Sequence, residues 1–175
     1  IFVNRNNASL RIDNNQIALN NDNILSFANI QGITVAAGTS SVPPTDPALV
    51  VYNSIYLGGQ SKPAGFSVGM STSDFSKVDF RNNLIVNERS GGTKGNMAVY
   101  ARQITSAENL NDLLNNNVYI IPDTSVFAWV GSAVSYYYGW KAWAELTKAD
   151  SQSFVYPVND MPPASLFSDL QNGDL

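Results

Sequence analysis

Short runs of alternating apolar residues, broken by asparagine pairs, constrain this chain more than any other feature. Leu10 and Ile12 alternate before Asn14-Asn15, and Ile17 and Leu19 alternate before the amide-rich stretch 20–23. Residues 24–30 and 33–36 follow, parted by Gln31-Gly32. Alternation with period two marks a strand with one face in a core. Asparagine enters the left-handed conformation of tight turns more readily than most residues, so its pairs read as turns. The spacing also resembles the repeated β-turn-β unit of fibrous shafts and β-solenoids, although only two or three copies are visible.

The same reading runs on along the chain. Residues 38–47, with their prolines, form a loop, and 48–57 (ALVVYNSIYL) form a strand rich in β-branched and aromatic residues. A short strand over 66–70 and a helical turn over 73–77 follow. Residues 78–88 are either one bulged strand or a hairpin about Asn82-Asn83. The glycine-rich 89–96 is a loop, and 97–105 is a strand. One helix is predicted over 106–115: Thr105 and Glu108 have capping-box spacing, and Leu110, Leu113 and Leu114 share a face. Residues 125–146 read as a hairpin turning at Gly131-Ser132, with a long second strand; a helix over 140–149 is the rival. Residues from 157 onward form an extended tail carrying Pro162-Pro163, which wraps a surface or a neighbouring subunit.

Many short strands without intervening long helices argue for antiparallel pairing. The expected fold is therefore all-β: an antiparallel β-sandwich, jelly-roll-like, with one short helix. Residues 1–156 make a single sandwich domain and 157–175 the C-terminal tail. The chain starts at Ile1 with no visible signal peptide, and is read as a processed or partial chain.

Composition narrows the function. Hydrophobic residues make up 44% of the 175 and charged residues only 14%, against a usual charged share of roughly 25%. Asn, Ser, Thr, Gly and Tyr fill the difference. A neutral, amide-rich surface costs less to desolvate than a charged one, which suits contact with neighbouring subunits or sugars. Net charge is −4, and the basic residues are scattered singly. No direct nucleic-acid contact is expected from them. No stretch reads as a membrane span: the most apolar one, 126–143, is interrupted by Ser132, Ser135, Gly139 and Lys141.

The chain has no cysteine and no histidine. Gly65-Phe66-Ser67-Val68-Gly69 matches the G-x-S-x-G elbow, but without histidine its serine has no ordinary base, so the match reads as coincidence. No lysine stands three residues after a serine, and no phosphate-cradling glycine motif is present. Histidine- or thiolate-bound metals are impossible within the chain. No catalytic residue, metal site or cofactor is expected. Asn7-Ala8-Ser9 is a glycosylation sequon.

The best binding candidates are the aromatics Tyr136, Tyr137, Trp140 and Trp143. Read as a strand, this segment places Tyr137 and Trp143 on its more polar face, while Tyr136 and Trp140 take the other. Flat rings stack on sugars, yet the same rings equally suit a core or a subunit contact. The expected function is a non-enzymatic structural subunit that self-assembles into a particle or filament: a viral or phage capsid or tail, or an extracellular appendage. A carbohydrate-binding module or lectin is the alternative. Expected partners are copies of itself, other subunits of the assembly, or glycans, in a virion or extracellular setting.

Overall fold

The structure, a computed structural model, describes residues 1–5, 9–20, 29–37, 46–61, 65–74, 77–92, 95–103, 113–122, 126–131, 135–163 and 166–167. The chain winds as a stack of coils, each contributing one strand to each of three sheets. β1 (Phe2–Arg5) precedes the first coil, which consists of β2 (Arg11–Asp13), β3 (Gln16–Asn20) and β4 (Ile30–Ala37). The second coil is β5 (Ala48–Val51), β6 (Ser54–Gly58), the short β7 (Gln60–Ser61) and β8 (Ser67–Asp74). The third repeats this order with β9 (Val78–Arg81), β10 (Leu84–Asn87), β11 (Ser90–Gly91) and β12 (Asn96–Gln103). The fourth has β13 (Leu114–Asn115), β14 (Val118–Ile121) and β15 (Ala128–Gly131). The chain then continues through β16 (Ser135–Tyr138), helix α1 (Trp140–Thr147) and β17 (Phe154–Pro157).

Strands stack by coil. One sheet runs β1-β4-β8-β12-β15-β16, a second β17-β14-β10-β6-β3, and a third β13-β9-β5-β2, while β7 and β11 pair by themselves. Every pairing is parallel except β15 with β16. This is a parallel β-solenoid. The expected antiparallel sandwich, and with it the jelly roll, is wrong. Parallel strands usually need a helical crossover, and that rule supported the sandwich. Here the other sheets of each coil carry the chain back, so no helix is required.

The corner between the third and second sheets shows how the sequence misled. Asn14, Tyr52, Asn82 and Asn116 each have positive φ, between 54° and 58°. The residue after each does not. A tight two-residue hairpin of the favoured type needs positive φ at both central residues. One left-handed residue bends the chain into a new sheet instead of reversing it. Residues 48–57 are therefore two strands rather than one. Residues 78–88 are neither a bulged strand nor a hairpin about Asn82-Asn83, but β9 and β10 in different sheets.

Inward residues stack in register. Ile17, Ile55, Ile85, Tyr119 and Val155 occupy one column of the second sheet; Ile12, Val50, Phe80 and Leu114 occupy one of the third. Ile55, Ile85, Val50, Phe80 and Leu114 are fully buried. Gly32 and Gly69 on the first sheet let the layers close. A Cβ on Gly32 would lie 2.5 Å from Ile55 Cγ2 and 2.6 Å from the Gly69 carbonyl oxygen.

The predicted hairpin about Gly131-Ser132 corresponds to the β15–β16 pair, but its second strand stops at Tyr138. The rival helix forms instead, as α1. Leu114 and Asn115, the end of the helix predicted over 106–115, are strand; the rest of that helix, through residue 112, lies outside the described residues, as do Asn7 and Ala8 of the sequon. The tail meets its own chain: β17 extends the second sheet, and Val158, Met161 and Phe167 pack on that sheet's outer face. The Phe167 and Tyr56 rings meet edge to face, 6.0 Å apart. No helix among the described residues is long and apolar enough to cross a membrane.

Candidate functional site

The residue after each left-handed corner is asparagine: Asn15, Asn53, Asn83 and Asn117. The backbone N–H of Asn15 donates to Asn53 Oδ1 at 3.1 Å, that of Asn53 to Asn83 Oδ1 at 3.0 Å, and that of Asn83 to Asn117 Oδ1 at 2.9 Å. Side-chain amides donate to the same acceptors and to corner carbonyls, as Asn83 Nδ2 does to Val50 O at 2.8 Å and Arg81 O at 3.0 Å. Asn53, Asn83 and Asn117 are buried. A corner inside a protein leaves backbone groups that need partners, and one amide per coil, presenting both donor and acceptor, supplies them.

The ladder is directional and ends differently at its two ends. Past Asn117 the acceptor is Ser153, whose Oγ takes the Asn117 backbone N–H at 2.9 Å. Asp150, itself left-handed, collects the remaining donors. Its Oδ1 accepts from Ser153 Oγ (2.6 Å), Tyr119 Oη (3.1 Å) and Asn117 Nδ2 (3.3 Å), and its Oδ2 from Trp143 Nε1 (3.2 Å). Burial pushes the Asp150 carboxyl above the usual carboxylate range, against the pull of these donors. Burial, and then the Asp150 charge, raises the Tyr119 phenol well above its ordinary value. Helix α1 closes this end of the core with Trp143, which is fully buried.

At the opposite end the described strands stop at the first coil and β1. β1, β2 and β3 are the edge strands of their sheets. Leu19, in register with buried Leu57, is 36% exposed, and Ile1 is 45% exposed. The Asn15 side-chain oxygen, which the ladder's pattern offers to a preceding coil, accepts no hydrogen bond among the described residues.

Other polar groups are also engaged within the fold. Ser67 does not sit on an exposed elbow: it opens β8, is buried, and its hydroxyl lies 3.0 Å from Asn87 Oδ1 and 2.7 Å from Asn96 Oδ1. Arg89 is buried, and its guanidinium donates to the carbonyls of Gly58 and Gln60.

The predicted aromatics divide. Trp140 and Trp143 come together in α1 around Phe127, with ring centroids 5.0 and 6.1 Å from it. Trp143, with no exposed surface, cannot stack on a ligand. Tyr136 and Tyr137 lie on β16, paired with Val130 and Trp129. The sequence reading missed the four ladder asparagines. Their signal was an asparagine three residues after each stacked core residue Ile12, Val50, Phe80 and Leu114, but the intervals of 38, 30 and 34 residues hide the repeat. It also missed Phe154 and Tyr156, whose rings lie within 13° of parallel at 6.3 Å on β17.

The fold and this ladder place the chain among parallel β-solenoids. Beyond that class, comparison with protein-family models, curated protein sequences and solved structures finds no match.

Proposed function

We propose that this chain is a non-enzymatic structural subunit that joins a larger assembly through the edge strands of its first coil. The observation that carries the reading is the contrast between the two ends. One is plugged by α1 and Asp150; at the other, among the described residues, β1, β2 and β3 are edge strands and Leu19 is exposed. Exposed strand edges are templates for pairing with another chain, and native proteins usually blunt them. The low charge and amide-rich composition that suggested a structural subunit still support this reading, while the jelly roll expected with it falls with the sandwich. Sedimentation velocity over a concentration series tests the assembly reading. Association that weakens when Leu19→Lys places a charge on the exposed end of β3 is expected. A chain that stays monomeric throughout counts against it.

A second reading, glycan binding, is favoured by Phe154 and Tyr156. Phe154 is 58% exposed, and near-parallel rings on an edge strand suit stacking on sugar rings. Titration with soluble oligosaccharides tests it. Binding lost in Phe154→Ala is the expected result, and silence across all sugars removes the reading.

A further inference from the structure

We infer that the outer corner between the third and second sheets is a binding ridge for an uncharged linear glycan, with Tyr52 as its stacking platform. This ridge shares no residue with the Phe154 and Tyr156 pair and stands apart from it. Asn14, Tyr52, Asn82 and Asn116 occupy the same corner of four successive coils, each in the left-handed conformation. The residue after each belongs to the inward asparagine ladder, while these four side chains are exposed. Coils stack at the strand spacing of about 4.8 Å. One outward side chain therefore follows another at close to the length of one sugar unit in a β-linked chain.

Two observations point to a ligand. The first is the strain at Tyr52. Tyrosine tolerates positive φ less well than asparagine, yet its ring is 58% exposed and makes no hydrogen bond or ring contact among the described residues. Strain held without packing in return is characteristic of functional positions. The second is the chemistry beside it. The Asn82 and Asn116 side-chain amides make no hydrogen bond among the described residues, and Asn14 donates one, to Asp13 Oδ2 at 3.1 Å. An amide offers donors and an acceptor together, as a sugar hydroxyl does. Nearby charges are matched: Arg11 pairs with Asp13 at 3.0 Å and Arg81 with Asp79 at 2.5 Å. A neutral ligand fits such a surface better than a polyanion. A peptide would need a strand edge, but the corner backbone is already used between coils. Leu84 N–H donates to Asn53 O and Val118 N–H to Asn83 O, both at 2.9 Å. The Tyr52 ring thus takes the C–H face of one sugar, and the amides of Asn14 and Asn82 take hydroxyls of its neighbours. A ridge covers little of any single sugar, so affinity grows with ligand length as more corners engage.

The test titrates the full chain with cellohexaose, xylohexaose and chitohexaose, and with the corresponding trimers. At least one hexamer is expected to bind, and more tightly than its trimer. Tyr52→Asn is expected to weaken that binding by about tenfold or more, while its unfolding midpoint stays level or rises because the strain is relieved. Tyr52→Trp, which keeps a flat ring, retains binding. Binding kept in Tyr52→Asn but lost in Phe154→Ala overturns the ridge and leaves glycan binding standing on β17. A lowered midpoint in Tyr52→Asn shows that the ring is there for packing and also overturns it. So does a trimer that binds as tightly as its hexamer. Silence with every probe overturns the ridge and the glycan reading together.

Discussion

Asn53 donates both its backbone N–H and its side-chain amide to one acceptor, Asn83 Oδ1, at 3.0 Å in each case. A single side-chain oxygen thus ties two corners of adjacent coils, and the same amide donates to two carbonyls at the corner. Removing it leaves several buried polar groups without partners, each costing roughly 1–3 kcal/mol. Asn83→Ala is expected to lower stability by about 3 kcal/mol or more. Urea denaturation measures this, and a loss under 1 kcal/mol would show that water replaces the amide.

Gly32 faces the Gly69 carbonyl and Ile55 across a layer with no spare room. Gly32→Ala forces backbone as well as side chain to move, because a Cβ would lie 2.6 Å from a carbonyl oxygen. A loss of about 2–3 kcal/mol is expected, typical of overpacking. Thermal unfolding of this variant beside Gly95→Ala, which meets nothing within 4 Å but has φ +87°, separates crowding from conformational strain.

Tyr52 is the odd corner. Three of the four left-handed corner residues are asparagine, while Tyr52 adopts φ 58° with its side chain mostly exposed. A side chain in this conformation costs roughly 1–2 kcal/mol, and asparagine tolerates it better. Tyr52→Asn is therefore expected to stabilise the fold by about 0.5–1 kcal/mol. A destabilised variant would mean that the tyrosine ring contributes packing that its exposure conceals.

Asp150 links stability to pH. Its folded pKa is raised, so between the unfolded value of ~3.9 and the folded one the native state holds a proton that the unfolded state has released. Its contribution to stability is fully present below the unfolded pKa. It is lost as pH rises through the folded pKa. The parent chain should therefore lose stability relative to Asp150→Asn as pH rises from ~4. Parallel denaturation curves at several pH values check the sign: a difference that stays flat, or grows in the parent's favour, contradicts it.

Much of the local structure was legible. Ile12, Ile17 and Leu19 are strand residues, and the chain turns at Asn14-Asn15. The direction after the turn was not legible. A corner with one left-handed residue and a hairpin with two carry similar asparagine pairs, and only φ at the second residue separates them. Trp140, Trp143 and Thr147 fit helical spacing as well as a strand pattern fits their neighbours. What decided for α1 is the open end of the core beyond the fourth coil, which a helix bearing Trp143 can fill. The binding role imagined for Trp143 failed for the same reason.

By itself, then, the sequence determined a β-rich chain of short strands with asparagine corners, and an inventory without histidine or thiol chemistry. Both follow from local rules: side-chain alternation, tolerance of positive φ, and the presence or absence of a functional group. Tertiary structure alone decided that the strands run parallel, that Asn15, Asn53, Asn83 and Asn117 form one ladder, and that α1 closes one end of the core. Those are relations between residues 30 or more positions apart. Coils of unequal length bring them together without leaving a regular period in the sequence.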